Sequence, residues 1–216
     1  MDRVIVWPGA IPLETDILNA QRNILVALGF LIADLLGTST AVAGFPCTPG
    51  SGLNVQVGAG RIYSLQNLDS TAYSSLAADL GHQIMKQGIL LDAVTLAVPA
   101  PAQSGDSIDY LIQAAYQDSD TDAVILDYFN AANPTQPFTG PNNTGTAQPT
   151  MRKGIVTVQA KAGAAAPTGT QTAPAADAGF TGLYVVTIAN GAVSVVSGNI
   201  TTAAGAPFIA SPFGTQ

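Results

Sequence analysis

Apolar residues along this chain follow two different periods. Between Ile17 and Leu36 they repeat at helical spacing. Ile17, Ile24 and Leu31 recur every seven residues, and Gln21, Leu28 and Leu35 fall between them at alternating steps of four and three. This spacing predicts a helix with a heptad seam that carries one polar step. Thr15 or Asp16 is placed to cap its start, and Gly37 to end it. Leu18, Leu25 and Ile32 form a second series beside the first, so the apolar face is wider than a two-stranded seam requires. Such a helix must be covered on most sides, either in the core of a monomer or among other copies in a symmetric trimer or larger assembly.

After the helix the period changes to two. "LNVQV", "GAG" and "RIYSL" read as a short hairpin with a three-residue glycine loop. "ILLDAVTLAV" (89–98) is a long β-branched run that stops at Pro99 and Pro101. "SIDYLIQAAYQ" alternates, with Ile108, Tyr110, Ile112, Ala114 and Tyr116 on one face. "DSDTD" is expected to turn it and "AVILDYF" to return. "GIVTVQAKA" alternates again. "GLYVVTIANGAVSVVSG" predicts a hairpin, because Asn190-Gly191 suits a type I′ turn. "SSLAADLGHQIMKQ" reads as a short helix. The predicted fold is mainly β: an extended arm, one apolar coiled-coil-like helix, then an antiparallel sandwich or barrel with long loops.

The remaining stretches are punctuation. Residues 1–14, "MDRVIVWPGAIPLE", read as an arm in which Trp7 and Ile11 are candidates for attachment to another surface. "GTSTAVAGFPCTPGSG" is a linker by composition. Residues 130–150 and 163–179 are rich in Pro, Asn, Gly, Ala and Thr. Loops of that length are usually functional or packed against a partner. The tail carries Phe208, Ile209 and Phe213 as candidate docking groups. The expected organisation is 1–49 for arm, helix and linker, 50–200 for the β-domain, and 201–216 for a docking tail.

Composition narrows the function. Of 216 residues only 10% are charged, with seven Lys and Arg against fourteen acids and a net charge of −7. Nucleic-acid affinity rests on cations that neutralise phosphates, so this balance argues against a nucleic-acid partner. A low-charge surface suits permanent contact with other protein, where few ions need desolvation. Cys47 stands alone and makes no intrachain disulfide; it reads as a buried small apolar group. Arg22 before the apolar run and the Ala41-x-Ala43 pattern have the outline of a signal peptide. However, Asp2, Glu14 and Asp16 precede the run and Asp34 interrupts it. The clean stretch from Ile24 to Ala33 is ten residues, half of the roughly 20 that a membrane span needs. No membrane span is expected.

No enzymatic site emerges. His82 is the single histidine, and its surroundings hold no nucleophile motif. One His and one Cys exclude the usual four-ligand zinc site. Asp118, Asp120 and Asp122 alternate like a calcium loop, but the sixth position is Ala123 and the twelfth is Phe129, where Gly and Glu are required. "GSG" and "GAG" lack the lysine and helix of a phosphate loop. Asn142-Asn143-Thr144 has glycosylation spacing, and Pro134 to Pro137 is a weak PxxP match. Neither carries a function here. No catalytic residue, cofactor or metal is expected.

Two stretches carry a family resemblance: "SGLNVQVGAGRIYSLQ", and the long segment from "LAVPAPAQSGDSIDYLIQAAYQ" through "DAVILDYFNAANPTQPFTGPNNTGTAQPTMRKGIVTVQ" to "AKAGAAAPTGTQTAPAADAGFTGLYVVTIANG". They resemble the N-terminal, virion-anchoring region of tail-fibre proteins of bacteriophages and prophages, over roughly residues 50–200. The loops "YFNAANPTQPFTGPNNTGTAQ" and "KAGAAAPTGTQTAPAADAGFTGLYVVTI" are the most specific parts. In such proteins the region joins a longer, receptor-contacting fibre. The sequence shows no long shaft after it, so the expectation is an anchor or adaptor. The resemblance implies a homotrimeric structural protein of the virion tail, made in the bacterial cytoplasm. Its partners would be other tail proteins: tube, nozzle or baseplate, and the distal fibre. Ile17, Ile24, Leu28, Leu31 and Leu35 would make the oligomer contact. A receptor- or carbohydrate-binding module is the alternative, and a surface-polysaccharide depolymerase is a third reading that lacks a visible carboxylate pair.

Overall fold

The computed structural model describes residues 2–209. The fold is mainly β, one N-terminal helix followed by several antiparallel sheets. Helix α1 spans Glu14–Leu36. Its start lies at Leu13, whose backbone N–H donates to the Asp16 carboxylate at 2.9 Å. Asp16 thus satisfies an N–H that the helix itself leaves open. At the other end Gly37 takes φ 78° and its N–H bonds to Ala33 O at 2.8 Å, a backbone conformation that glycine adopts without strain.

Three sheets follow. The first orders β1 (Ala41–Gly44), β4 (Gly60–Asp69) and β5 (Asp79–Leu90). The second orders β2 (Cys47–Pro49), β3 (Asn54–Val57) and β6 (Val94–Ala97). The third runs β10 (Gln148–Ala162), β7 (Asp106–Val124), β12 (Thr181–Ala189) and β13 (Ile200–Thr202), with β11 (Ala166–Pro167) also on β7. β8 (Asp127–Tyr128) and β9 (Phe138–Thr139) form a separate pair. Each sheet has open ends, so the described strands close no barrel.

The predicted hairpin of "LNVQV" with "RIYSL" does not form. β3 and β4 lie in different sheets, and their partners are β2 and β1. Ala41 faces Tyr63, Gly44 faces Gly60, Cys47 faces Val57 and Pro49 faces Val55, so one register runs through both sheets. This is a single long hairpin that bends midway. At the bend Phe45 N–H donates to Ala59 O at 2.9 Å and Gly58 N–H to Pro46 O at 2.8 Å. A Cβ on Gly60 would lie 2.5 Å from the Phe45 ring. Gly60 therefore admits the ring of Phe45, which is fully buried, and Gly58 that of Pro46, and the two glycines do not form a hairpin tip.

Other expectations change for related reasons. "GTSTAVAGFPCTPGSG" is not a linker: β1 and β2 lie in it, so the β-domain begins at Ala41. The expected helix in "SSLAADLGHQIMKQ" does not form: 74–78 lie before β5 outside any helix, and from Asp79 onward the segment is strand β5, paired along β4. The run 89–98 is two strands of different sheets, broken at 91–93. "DSDTD" does not turn the chain, because β7 continues to Val124. "AVILDYF" supplies β8, which pairs with β9 and not with β7. Asn190-Gly191 does turn, with Gly191 at φ 76°, but the strand that returns to β12 is β13.

The chain divides into two compact units, one formed by the described residues up to Tyr116 and from Val156 onward, the other by Gln117–Ile155. The core lies in the first. Val42 and Ile62, Val55 and Val57, Ile112 and Ala114, Val156, and Leu183, Val186 and Ile188 come from all three sheets into one cluster. β7 is buried on both faces, since Asp109, Leu111 and Gln113 between the predicted core positions are also buried. The loop 163–179 explains this. Asp177 accepts from Gln113 Nε2 at 2.6 Å, from Gln159 Nε2 at 2.9 Å and from Lys161 Nζ at 2.6 Å, and its own N–H donates to Gln113 Oε1 at 2.8 Å. The loop is fastened to its own sheet and needs no partner for cover. The second unit is a ribbon without such a core, and all its large apolar side chains from Val124 to Met151 are exposed.

Candidate functional site

Helix α1 displays three faces. The first packs on the sheet of β4 and β5. A Cβ on Gly29 would lie 2.8 Å from Ile84 Cβ and 3.0 Å from Met85 O, so the helix backbone approaches β5 directly. Leu18, Arg22, Gly29 and Ala33 share this face by helical spacing, and none is exposed. Arg22 fixes the position. Its Nε is 3.2 Å from Asp69 Oδ2, and its Nη2 donates to Asp79 Oδ2 at 3.0 Å. The contact with Asp69, a buried residue, is an ion pair. Beside it Tyr73 Oη donates to Gln21 Oε1 at 2.7 Å.

The second face carries Asn23, Val26, Ala27 and Phe30, which line an open pocket together with Asp2 of the N-terminal arm, and Phe30 stays 57% exposed. The arm then turns at Trp7-Pro8-Gly9-Ala10, with Ala10 N–H bonded to Trp7 O at 3.1 Å and Gly9 at φ 85°. The turn leaves Trp7 72% and Ile11 89% exposed. Both attachment candidates therefore stand in solvent.

The third face is bare. Ile17, Ile24, Leu28, Leu31 and Leu35 are 63%, 62%, 46%, 53% and 74% exposed. Of the 23 helix residues only Gly29 is buried. The seam found in the sequence is thus not the face that α1 turns to its own β-domain. A core helix of a monomer would hide these side chains, and this one does not. By length and composition α1 is also long and apolar enough to cross a membrane. Its ion pairs to Asp69 and Asp79, however, tie it along a sheet.

The C-terminal candidates behave otherwise. Phe208 bridges to Val42 at the edge of β1, flanked by bonds from Val42 N–H to Pro207 O at 2.9 Å and from Ile209 N–H to Val42 O at 2.8 Å. Its ring meets Tyr184 with centroids 5.4 Å apart and planes at 55°. Phe208 and Ile209 are therefore engaged within their own domain, which corrects the expectation of a free docking segment at these two. Phe213 lies outside the described residues.

The polar candidates are accounted for within the chain. His82 Nδ1 lies 2.9 Å from Asp79 Oδ2. Hydrogen bonding from His82 holds the Asp79 carboxyl below the usual carboxylate range. In the second unit Asp120 receives Arg152 Nε at 2.7 Å and Nη2 at 2.8 Å, and Asp122 lies 2.8 Å from Lys153 Nζ. The aspartates are rungs of an ion ladder between strand ends, and the described residues contain no cluster of three metal-ligating groups. Burial pushes the Cys47 thiol up to about 11, which keeps it protonated and inert at neutral pH. What sequence reasoning missed is the role of Arg22. Its signal was present, a lone cation inside an otherwise apolar helical stretch. Comparisons of the chain with known protein families, with curated proteins and with solved structures found no match.

Proposed function

We propose that this chain is a structural protein of a bacteriophage tail that anchors or adapts tail fibres to the tail, and that its copies associate through α1. The observation that carries the association is the bare stripe of Ile17, Ile24, Leu28, Leu31 and Leu35 on a helix otherwise fastened to its domain. Exposed contiguous apolar surface of this kind marks an interface. The assignment to a tail rests on the tail-fibre resemblance of residues 50–200, which also implies three copies. Trp7 and Ile11 on the exposed arm are the groups offered to the tail tube, nozzle or baseplate. A surface with 10% charged residues suits such permanent contacts. Catalysis, nucleic acid and a membrane have no part in this reading. Mass spectrometry of purified virions, with light scattering of the isolated protein, tests it. The protein should be present in particles and trimeric in solution; its absence from particles would overturn the tail assignment.

A second reading has one specific observation in its favour. Tyr128 and Phe138 face each other across β8 and β9, and all three rings of Tyr128, Phe129 and Phe138 are exposed. Exposed rings among amides and hydroxyls are the usual material of a saccharide or receptor site. Capture of the protein by host envelope that is lost in Phe129→Ala would support it.

A further inference from the structure

The occupant of the bare helix face can be identified more closely, on the reading that α1 is an association surface. In a heptad the step from a to d is three residues and from d to a is four. The seam runs 17, 21, 24, 28, 31, 35, so Ile17, Ile24 and Leu31 are d positions and Gln21, Leu28 and Leu35 are a positions. Leu at a with Ile at d disfavours two strands and favours three or four. On the opposite side Leu18, Arg22, Gly29 and Ala33 are turned to the β-domain. The free sector coincides with the seam and is self-complementary: each copy offers the same side chains that another copy needs.

Gln21 is the exception among these six positions. Its Oε1 accepts from Tyr73 Oη at 2.7 Å, and its Nε2 has no partner within the chain among the described residues. Two N–H donors therefore remain for neighbouring copies. In a parallel, in-register bundle all the Gln21 amides meet at one level, where each can donate to the oxygen of the next. Slipped by one heptad, Gln21 faces Leu28. Reversed with Ile17 opposite Leu35, it faces Leu31. Either arrangement buries an amide with no acceptor, at about 1–3 kcal/mol for each chain. We infer that α1 assembles with further copies of itself, more than two chains in all, parallel and in register, and that Gln21, oriented by Tyr73, is the polar layer that selects this register.

The test uses the full chain. In a Cys47→Ser background, Leu35→Cys places one thiol per helix. Copies that are parallel and in register bring these thiols together, so mild oxidation should give covalent dimers in high yield within a particle of single mass above two chains. Gln21→Leu should raise the thermal midpoint of the assembly, yet broaden it into several masses and lower the cross-link yield several-fold; Tyr73→Phe should do so more weakly. If Gln21→Leu keeps a single mass and the full cross-link yield, Gln21 does not set the register and this inference fails while association through α1 stands. If Leu35→Cys fails to cross-link in an assembly of normal mass, the parallel arrangement fails. A protein that stays monomeric at high concentration overturns both the inference and the association beneath it.

Discussion

Leu28 lies midway along the bare stripe, and Leu28→Asp separates assembly from folding. Within one chain Leu28 is 46% exposed, so a carboxylate there stays in water and the helix keeps its ion pairs on the sheet. In the assembly the exposed half is withdrawn. Burying a whole leucine side chain is worth about 1.5–3 kcal/mol, so the remaining half contributes about 1 kcal/mol per chain. Across three chains that is about 3 kcal/mol lost, and three carboxylates brought together add a desolvation penalty of several kcal/mol per ion. At 1.4 kcal/mol per tenfold, dissociation should strengthen by well over 100-fold. Val193→Asp is the control, because Val193 is 83% exposed on the loop after β12 and is no part of the α1 stripe. Sedimentation velocity should show monomeric Leu28→Asp and assembled Val193→Asp, with the same circular dichroism for both. If Leu28→Asp keeps the wild-type mass, the stripe is not the interface and the reasoning is refuted. If it loses its β signal, the helix face is needed for folding instead.

Three further outcomes test the packing. Gly29→Val sets side-chain atoms where Ile84 Cβ stands at 2.8 Å, so it should lower stability to urea by about 1–3 kcal/mol; an unchanged midpoint would mean that α1 does not rest on β5. Cys47 should react with a thiol reagent at pH 8 far more slowly than after unfolding, since burial raises its pKa to about 11; equal rates would refute the burial. The third concerns Asp177, which the Lys161 hydrogen bond first, and then that of Gln113, holds below the ordinary carboxylate range. A depressed folded pKa contributes stability above the unfolded value of about 3.9 and loses it as pH falls through the folded value. The stability difference between wild type and Asp177→Asn should therefore be full at pH 7 and shrink as pH falls below about 4; a difference that does not shrink on acidification would show the effect is not electrostatic.

Local signals made much of this protein legible from its sequence. The heptad steps from Ile17 to Leu35 gave the helix, Gly37 gave its end, and the alternation from Ile108 to Tyr116 gave the central strand. These depend on neighbours along the chain, where side-chain period and backbone geometry are coupled. Pairing was not legible. The glycines of "GAG" have the composition of a hairpin tip, and only the ring of Phe45, arriving from the bend between β1 and β2, shows that they mark a bend between sheets. "SSLAADLGHQIMKQ" has helical residues, but β4 offers a ladder from Gly60 to Asp69 and that pairing overrides local propensity. The candidate surface divides the same way. The sequence by itself determined that one helix is apolar around too much of its circumference to stand alone. Only the tertiary structure decided which face is spent, because Gly29 allows contact with β5 and Arg22 finds Asp69 and Asp79 from distant strands. The periodicity of a helix ranks its faces by hydrophobicity, whereas close approach and charge partners choose among them, and these choices leave Ile17, Ile24, Leu28, Leu31 and Leu35 in solvent.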